Sequence, residues 1–217
     1  MFNATLTTYH LPLTTQSMKI YKYFLATLFV ILLDQAVKLY VFYTFPFEGY
    51  EIKVFGDWFK LNYITNAGMA FGISIAGDYG KLLLTVFRII ACGGIAWYLH
   101  QLILKKLPDG LLWSIALILG GAIGNVVDST FYGVFLNNAP YDAPTPWFHG
   151  KVIDMFFIDL CNCYIPNWIP LIGGSYYPLW PVFNVADASI FIGVLWIIIY
   201  QRKFFKDDSA KEEVSAE

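Results

Sequence analysis

Two short segments of this 217-residue chain set an amide and a carboxylate three residues apart: Asn125-Val126-Val127-Asp128 and Asn184-Val185-Ala186-Asp187. On a helix that spacing puts each Asn and its Asp on one face. Asp34 and Lys38 add a charged pair at i, i+4, and Asp154 stands in the apolar stretch Val152-Ile153-Asp154-Met155-Phe156. A lone Asp is most often a solvated surface charge; the apolar flanks of Asp154 argue otherwise. If Asp154 and Asp187 face each other, their like charges cannot both ionise cheaply, and one holds a proton near neutral pH. Such a pair can activate water, the ionised member acting as general base while the protonated one polarises a carbonyl and later helps protonate a leaving amine. That would be aspartyl-protease chemistry, with no cofactor, metal or covalent intermediate. Asp128 is the rival catalytic acid and is assigned a supporting place, with Asn125 as its hydrogen-bonding companion.

These groups must be held inside a membrane. Hydrophobic residues make up 58% of the chain and charged residues 14%, against roughly 25% charged in soluble domains. Apolar runs at 21–43, 82–104, 111–131 and 183–200 are each within the range of about 17–25 residues that crosses a bilayer core. An ionisable group at the centre of a span costs roughly 2.5–3.5 kcal/mol on insertion scales, so the acids and Lys38 need a reason to be there. The first run is polar at Asp34, Gln35 and Lys38 and lacks a prompt small-residue cleavage site, so it reads as a retained span rather than a secretory signal.

The short turn from Lys105 to Gly110 makes the second and third spans antiparallel neighbours. Lys19, Lys22, Lys105, Lys106, Arg202, Lys203 and Lys206 flank one face, whereas Glu48, Glu51, Asp57, Asp78, Asp142, Asp154 and Asp159 gather on the other. The positive-inside rule then puts both termini in the cytoplasm and brings the two Asn-x-x-Asp segments together near the outer leaflet. At about 1.5 Å rise per residue, Asp34 reaches the same depth. Gly120, Gly121 and Gly124 suit close helix approach. Glu51 to Phe55 and Trp58 to Tyr63 are β-prone runs joined by Gly56-Asp57, a hairpin signal, and the aromatic loop 137–180 resembles an interfacial belt. The expected fold is an all-α polytopic membrane protein, four transmembrane helices with a small extracytoplasmic β element. Residues 1–18 form an N-terminal tail, 19–203 the membrane domain and 204–217 a C-terminal tail.

Other classes find less support. With 14 Lys+Arg against 16 Asp+Glu, the basic excess needed for nucleic-acid binding is missing. Cys92, Cys161 and Cys163 are too few and too oddly placed for a disulfide framework or a zinc site. A small transporter or ion-coupled carrier is the main alternative, since intramembrane acids also mark ion pathways; it predicts polar groups spread through the membrane depth and an internal repeat, whereas here they cluster toward one leaflet.

Five blocks in order resemble the lipoprotein signal peptidases, or signal peptidase II: Asp34-Gln35-x-x-Lys38, Asn66-Ala67-Gly68-Met69-Ala70-Phe71-Gly72, the segment from Gly120 to Asp128, Val152 to Phe156, and Phe183 to Asp187. The resemblance implies an aspartic endopeptidase of the bacterial inner membrane that removes the signal peptide of a prolipoprotein on the amino side of a diacylglyceryl-modified cysteine. It implies Asp154 and Asp187 as the catalytic pair, with Asp34, Lys38, Asn66, Gly68, Asn125, Asp128 and Asn184 lining or bracing the site. Lipid-modified prolipoproteins and membrane lipids are the expected partners, and a monomer is expected. Two departures stand out. Ser129 occupies a position where the family commonly has Arg, and the stretch from Cys161 to Pro181 lengthens the separation of the two catalytic aspartates.

Overall fold

The computed structural model describes residues 15–68, 79–160, 164, 166–168, 174 and 180–204. Cys161, Cys163, Asp78, Met69 to Gly72 and the tails before residue 15 and after residue 204 lie outside the described residues. Helices α1 (Thr15–Thr44), α2 (Gly80–Leu104), α3 (Asp109–Val127), the short α4 (Gly133–Phe135) and α5 (Val185–Phe204) accompany strands β1 (Glu51–Phe55), β2 (Phe59–Asn66) and β3 (Val152–Ile158). A π-helical turn, Asp128–Tyr132, carries α3 into α4. Among the described residues four helices are long and apolar enough to cross a membrane, as the composition predicts.

The helices end within a few residues of the expected boundaries, whereas α1 starts at Thr15 rather than at 21. After α2, Lys106 is left-handed (φ 55°), and Lys106 N–H and Leu107 N–H donate to the carbonyls of Ile103 and Leu102, the Schellman pattern that satisfies a helix C-terminus and reverses the chain. The last span begins at Val185 rather than at 183 because the backbone of Phe183 is already engaged. Met155 N–H and Phe156 N–H donate to its carbonyl at 3.1 and 2.7 Å, and its own N–H donates to Phe156 O at 3.0 Å. Its last turn carries Arg202 and Lys203, where positive charge suits the exposed carbonyls.

The helix α3 is central and packs on α1, α2 and α5. In a bilayer apolar side chains gain little by leaving lipid, so helix association depends on close packing and hydrogen bonds. Glycine makes that approach possible. A Cβ at Gly124 would lie 2.6 Å from Asp34 Oδ2, and one at Gly121 would collide with the carbonyl oxygen of Ala186 and with Ser189 Oγ. Gly121→Ala is therefore expected to push α5 off α3 and cost about 1–3 kcal/mol, the usual range for overpacking. A thermal midpoint in detergent equal to that of the unmodified protein would sink this account.

At one end of the bundle Asp109, in the first turn of α3, accepts from Lys22 Nζ at 2.8 Å and Tyr23 OH at 2.7 Å, and Phe204 of α5 lies over Gly110. At the other end sits a three-stranded antiparallel sheet in the order β1-β2-β3. The expected hairpin is present, but its turn at Gly56 (φ +53°) takes in Trp58 as well as Asp57, so that the second strand runs from Phe59 to Asn66. The third strand, which carries Asp154, lies in the stretch that composition predicts to be an outer loop. Val152, Ile153, Asp154 and Met155 are all buried, so the strand lacks the apolar–polar alternation that announces a half-exposed one. One apolar core, around Leu99, Leu112 and Leu119, lies within the bundle; another, around Val41, Tyr63, Ile153 and Met155, lies beneath the sheet.

Candidate active site

Asn184 joins the elements of the site. It precedes α5, and its Oδ1 accepts the N–H of Asp187 at 2.8 Å while Asp187 Oδ2 accepts the N–H of Asn184 at 3.4 Å. This reciprocal pair has the geometry of a capping box, which satisfies helix N-terminal donors and fixes the rotamers of both residues. The amide nitrogen of Asn184 faces the other way and donates to Asp154 Oδ1 at 2.6 Å. One fully buried side chain thus links both proposed catalytic acids, and the pairing of Phe156 with Phe183 brings β3 close enough for it to do so.

A second group lies deeper. Lys38 Nζ sits 2.7 Å from Asp34 Oδ2, 2.7 Å from Asp128 Oδ2 and 3.0 Å from Asn125 Oδ1. Lys38, Asp34 and Asp128 have no exposed side-chain surface. Gln35 Nε2 donates to Asp128 Oδ1 at 2.8 Å, and Tyr132 OH donates to Gln35 Oε1 at 2.9 Å. Asp34 Oδ1 accepts the backbone N–H of Ala186 at 2.8 Å, tying α1 to the first turn of α5. Asn125 is the link between the groups, since its Nδ2 donates to Asp187 Oδ1 at 2.8 Å. This corrects the expected pairing of Asn125 with Asp128. The Asn125 amide reaches across to α5, because Lys38 and Gln35 already occupy the Asp128 carboxylate.

Asp154 and Asp187 differ in setting. Asp154 is 4% exposed, and burial first, then the charge of Asp187, push its carboxyl up to about 7 against the pull of Lys38, Asn184 and Asn66. Asp187 is half-buried and lines a cleft of about 380 Å³ with Ile158, Trp180, Phe183, Phe191 and Ile192. Asn66 ends β2 opposite Val152, and its Oδ1 accepts the N–H of Gly68 at 2.7 Å. Gly68 itself is left-handed (φ +75°), a conformation that glycine adopts without a Cβ penalty.

Residues 26–203 match the family described as Signal peptidase (SPase) II. The chain belongs to that family. The lipoprotein signal peptidase of Amoebophilus asiaticus (strain 5a2) is 43% identical to it over 91% of this chain and 84% of the relative. That of Porphyromonas gingivalis (strain ATCC BAA-308 / W83) is 36% identical over 80% of each. The fold also matches that of a bacterial membrane enzyme solved by the in meso method at 2.3 Å resolution, with a TM-score of 0.54 at 23% identity over 88% of this chain and 92% of that one.

Beside Ser129 stands a cation of α2. Lys81 Nζ lies 3.4 Å from Ser129 Oγ and donates to Ala67 O at 2.5 Å. Lys81, Arg88 and Tyr132 are site neighbours that the sequence reading does not single out, and Gln35 enters it only as part of the first block. The signal was present for the first two: cations seven residues apart on an apolar helix carry the same insertion cost that singled out the acids.

Proposed function

We propose that this protein is an intramembrane aspartic endopeptidase that removes the signal peptide of bacterial prolipoproteins, cutting on the amino side of a diacylglyceryl-modified cysteine. The observation that carries this reading is the double link through Asn184: Asp154 and Asp187 are held by one amide, and Asp187 opens on an apolar cleft, while Asp128 is sealed behind Lys38 and Gln35. Relatives named lipoprotein signal peptidase support the choice of substrate.

In the proposed cycle Asp154 holds the shared proton and hydrogen-bonds the scissile carbonyl oxygen. Asp187 takes a proton from water, and the resulting hydroxide adds to the carbonyl carbon as Asp154 gives its proton to the carbonyl oxygen, forming a tetrahedral diol. Asp187 then passes its proton to the amide nitrogen while Asp154 recovers one from the diol, and the C–N bond breaks, releasing the signal peptide as an acid and the lipidated cysteine as an amine. Asn184 and Asn125 orient the two carboxyl groups; Asp34, Lys38 and Asp128 brace α1, α3 and α5 behind them.

The membrane helps select the substrate. Each buried methylene of a diacylglyceryl chain contributes about 0.8 kcal/mol to holding the cysteine at the interface, so the acids must sit at that depth. The basic residues near the opposite end of the bundle orient both termini to the cytoplasm and the acids to the outer leaflet. One copy of the chain carries the complete pair, so a monomer suffices.

Cleavage by the purified, detergent-solubilised protein tests the reading. A diacylglyceryl-modified proprotein is cut before its cysteine and the unmodified one is not; cutting at another bond, or no cutting of the lipidated form, overturns the assignment. The same assay gives a pH dependence. Below about 7 Asp154 keeps its proton, and above it the pair loses the acid that polarises the carbonyl, so kcat/KM falls on the alkaline side. A flat profile through neutrality would remove Asp154 from that role.

A further inference from the structure

Two cations on α2 lie two turns apart on one face, and they differ in one respect. Lys81 is 4% exposed, and its ammonium is engaged by Ala67 O and Ser129 Oγ. Arg88, half-buried, donates from Nη2 to Gly68 O at 3.3 Å, but its Nη1 is buried and has no hydrogen-bond partner among the described residues. That nitrogen sits against the Asn66–Gly68 turn, only 2.9 Å from where a Cβ on Gly68 would be. The charge of Asp187 also acts on the guanidinium. A buried N–H donor therefore stands unsatisfied against the turn that ends β2, within the electrostatic reach of the carboxylate that opens on the cleft. Buried donors are seldom left so, and an orphan at a functional site points to a missing acceptor. The planar guanidinium adds direction: with Nη2 fixed on a backbone carbonyl, Nη1 is aimed rather than free to rotate away.

We propose that Arg88 is a substrate-binding residue, its Nη1 donating to a carbonyl oxygen of the lipopeptide that lies beside Asp187. The acceptor is a backbone carbonyl next to the scissile bond or an ester carbonyl of the diacylglyceryl group, both on the same substrate molecule. This inference rests on the reading of Asp154 and Asp187 as the catalytic pair. Gly68 belongs to the same device, because its missing side chain leaves room for the guanidinium and its carbonyl anchors Nη2.

Steady-state cleavage by full-length Arg88→Gln and Arg88→Lys, each paired with a thermal unfolding curve, tests it. Arg88→Gln is expected to raise KM for the diacylated substrate at least tenfold with kcat little changed, the pattern of an interaction made in both ground and transition states. Arg88→Lys keeps the charge without the fork and is expected to recover only part of the loss. A dialkyl-ether substrate separates the two acceptors: the penalty vanishes with it if Nη1 binds an ester carbonyl and persists if it binds the peptide. Unchanged KM in Arg88→Gln overturns the proposal, as does a loss in both variants that merely follows the folded fraction. Asp187→Asn in the same assay keeps the two readings apart, since retained turnover there defeats the catalytic pair whatever Arg88 does.

Discussion

Asp154→Asn and Asp187→Asn are each expected to lower kcat on a lipidated proprotein by about 10²–10⁴-fold, the range for losing a general acid or base, with little change in the thermal midpoint. Asparagine keeps the shape of the side chain and an acceptor oxygen, so the bond from Asn184 to position 154 and the bond from Asn125 to position 187 both have a partner. What disappears is the titratable proton. Asp128→Asn makes the opposite case. Its carboxylate is fully buried on Lys38 and Gln35, so the substitution acts on the brace and is expected to lower stability while leaving measurable turnover. If Asp128→Asn is as silent as the other two and still folded, the catalytic pair has been misassigned.

Lys38→Met is expected to destabilise the protein by about 3–5 kcal/mol, the usual cost of removing one partner from a buried ion pair. The methionine occupies similar volume, but Asp34 and Asp128 then face each other with no cation between them. The loss spreads beyond the pair: Asp34 also accepts the N–H of Ala186, and a displaced Asp34 frees the first turn of α5 and with it Asp187. Unfolding in detergent, followed by circular dichroism, measures the effect. Adding Asp128→Asn to Lys38→Met removes one of the stranded charges and should restore part of the stability. A single variant with the unmodified midpoint would show that the triad does not brace the bundle.

Much of the fold was legible because the membrane makes polarity expensive. Runs of about 20 apolar residues have few alternatives to spanning helices, and the hairpin followed from β-prone runs around Gly56. The same cost drew attention to Asp34, Lys38, Asp128 and Asp187, and the structure joins all four in one hydrogen-bonded network. Asn-x-x-Asp was legible as a shared face, but its two copies do different work. Before α5 it is a helix cap, with Asn184 outside the helix. Within α3 its Asn and Asp turn to different partners, Asn125 to Asp187 and Asp128 to Lys38.

Three features were not readable. β3 hides in a run buried on both faces, where periodicity is silent. The pairing of Asn125 depends on which competing donors reach Asp128 first, a matter of rotamers and helix separation rather than spacing. The place of Arg88 is the third: its insertion cost is legible, but only the turn at Gly68 and the unpartnered Nη1 show what it faces.

The sequence by itself determined the spans, their antiparallel order and the inventory of costly polar groups, because insertion energies and helix periodicity act locally along the chain. The tertiary structure alone decided which acid meets which partner: glycines at 121 and 124 let α3 approach α5 and α1 to backbone distance, and with Lys38 and Gln35 seated on Asp128 the Asn125 amide turns to Asp187. That selection depends on distances between segments up to 152 residues apart, as from Asp34 to Ala186, which no local rule along the chain encodes.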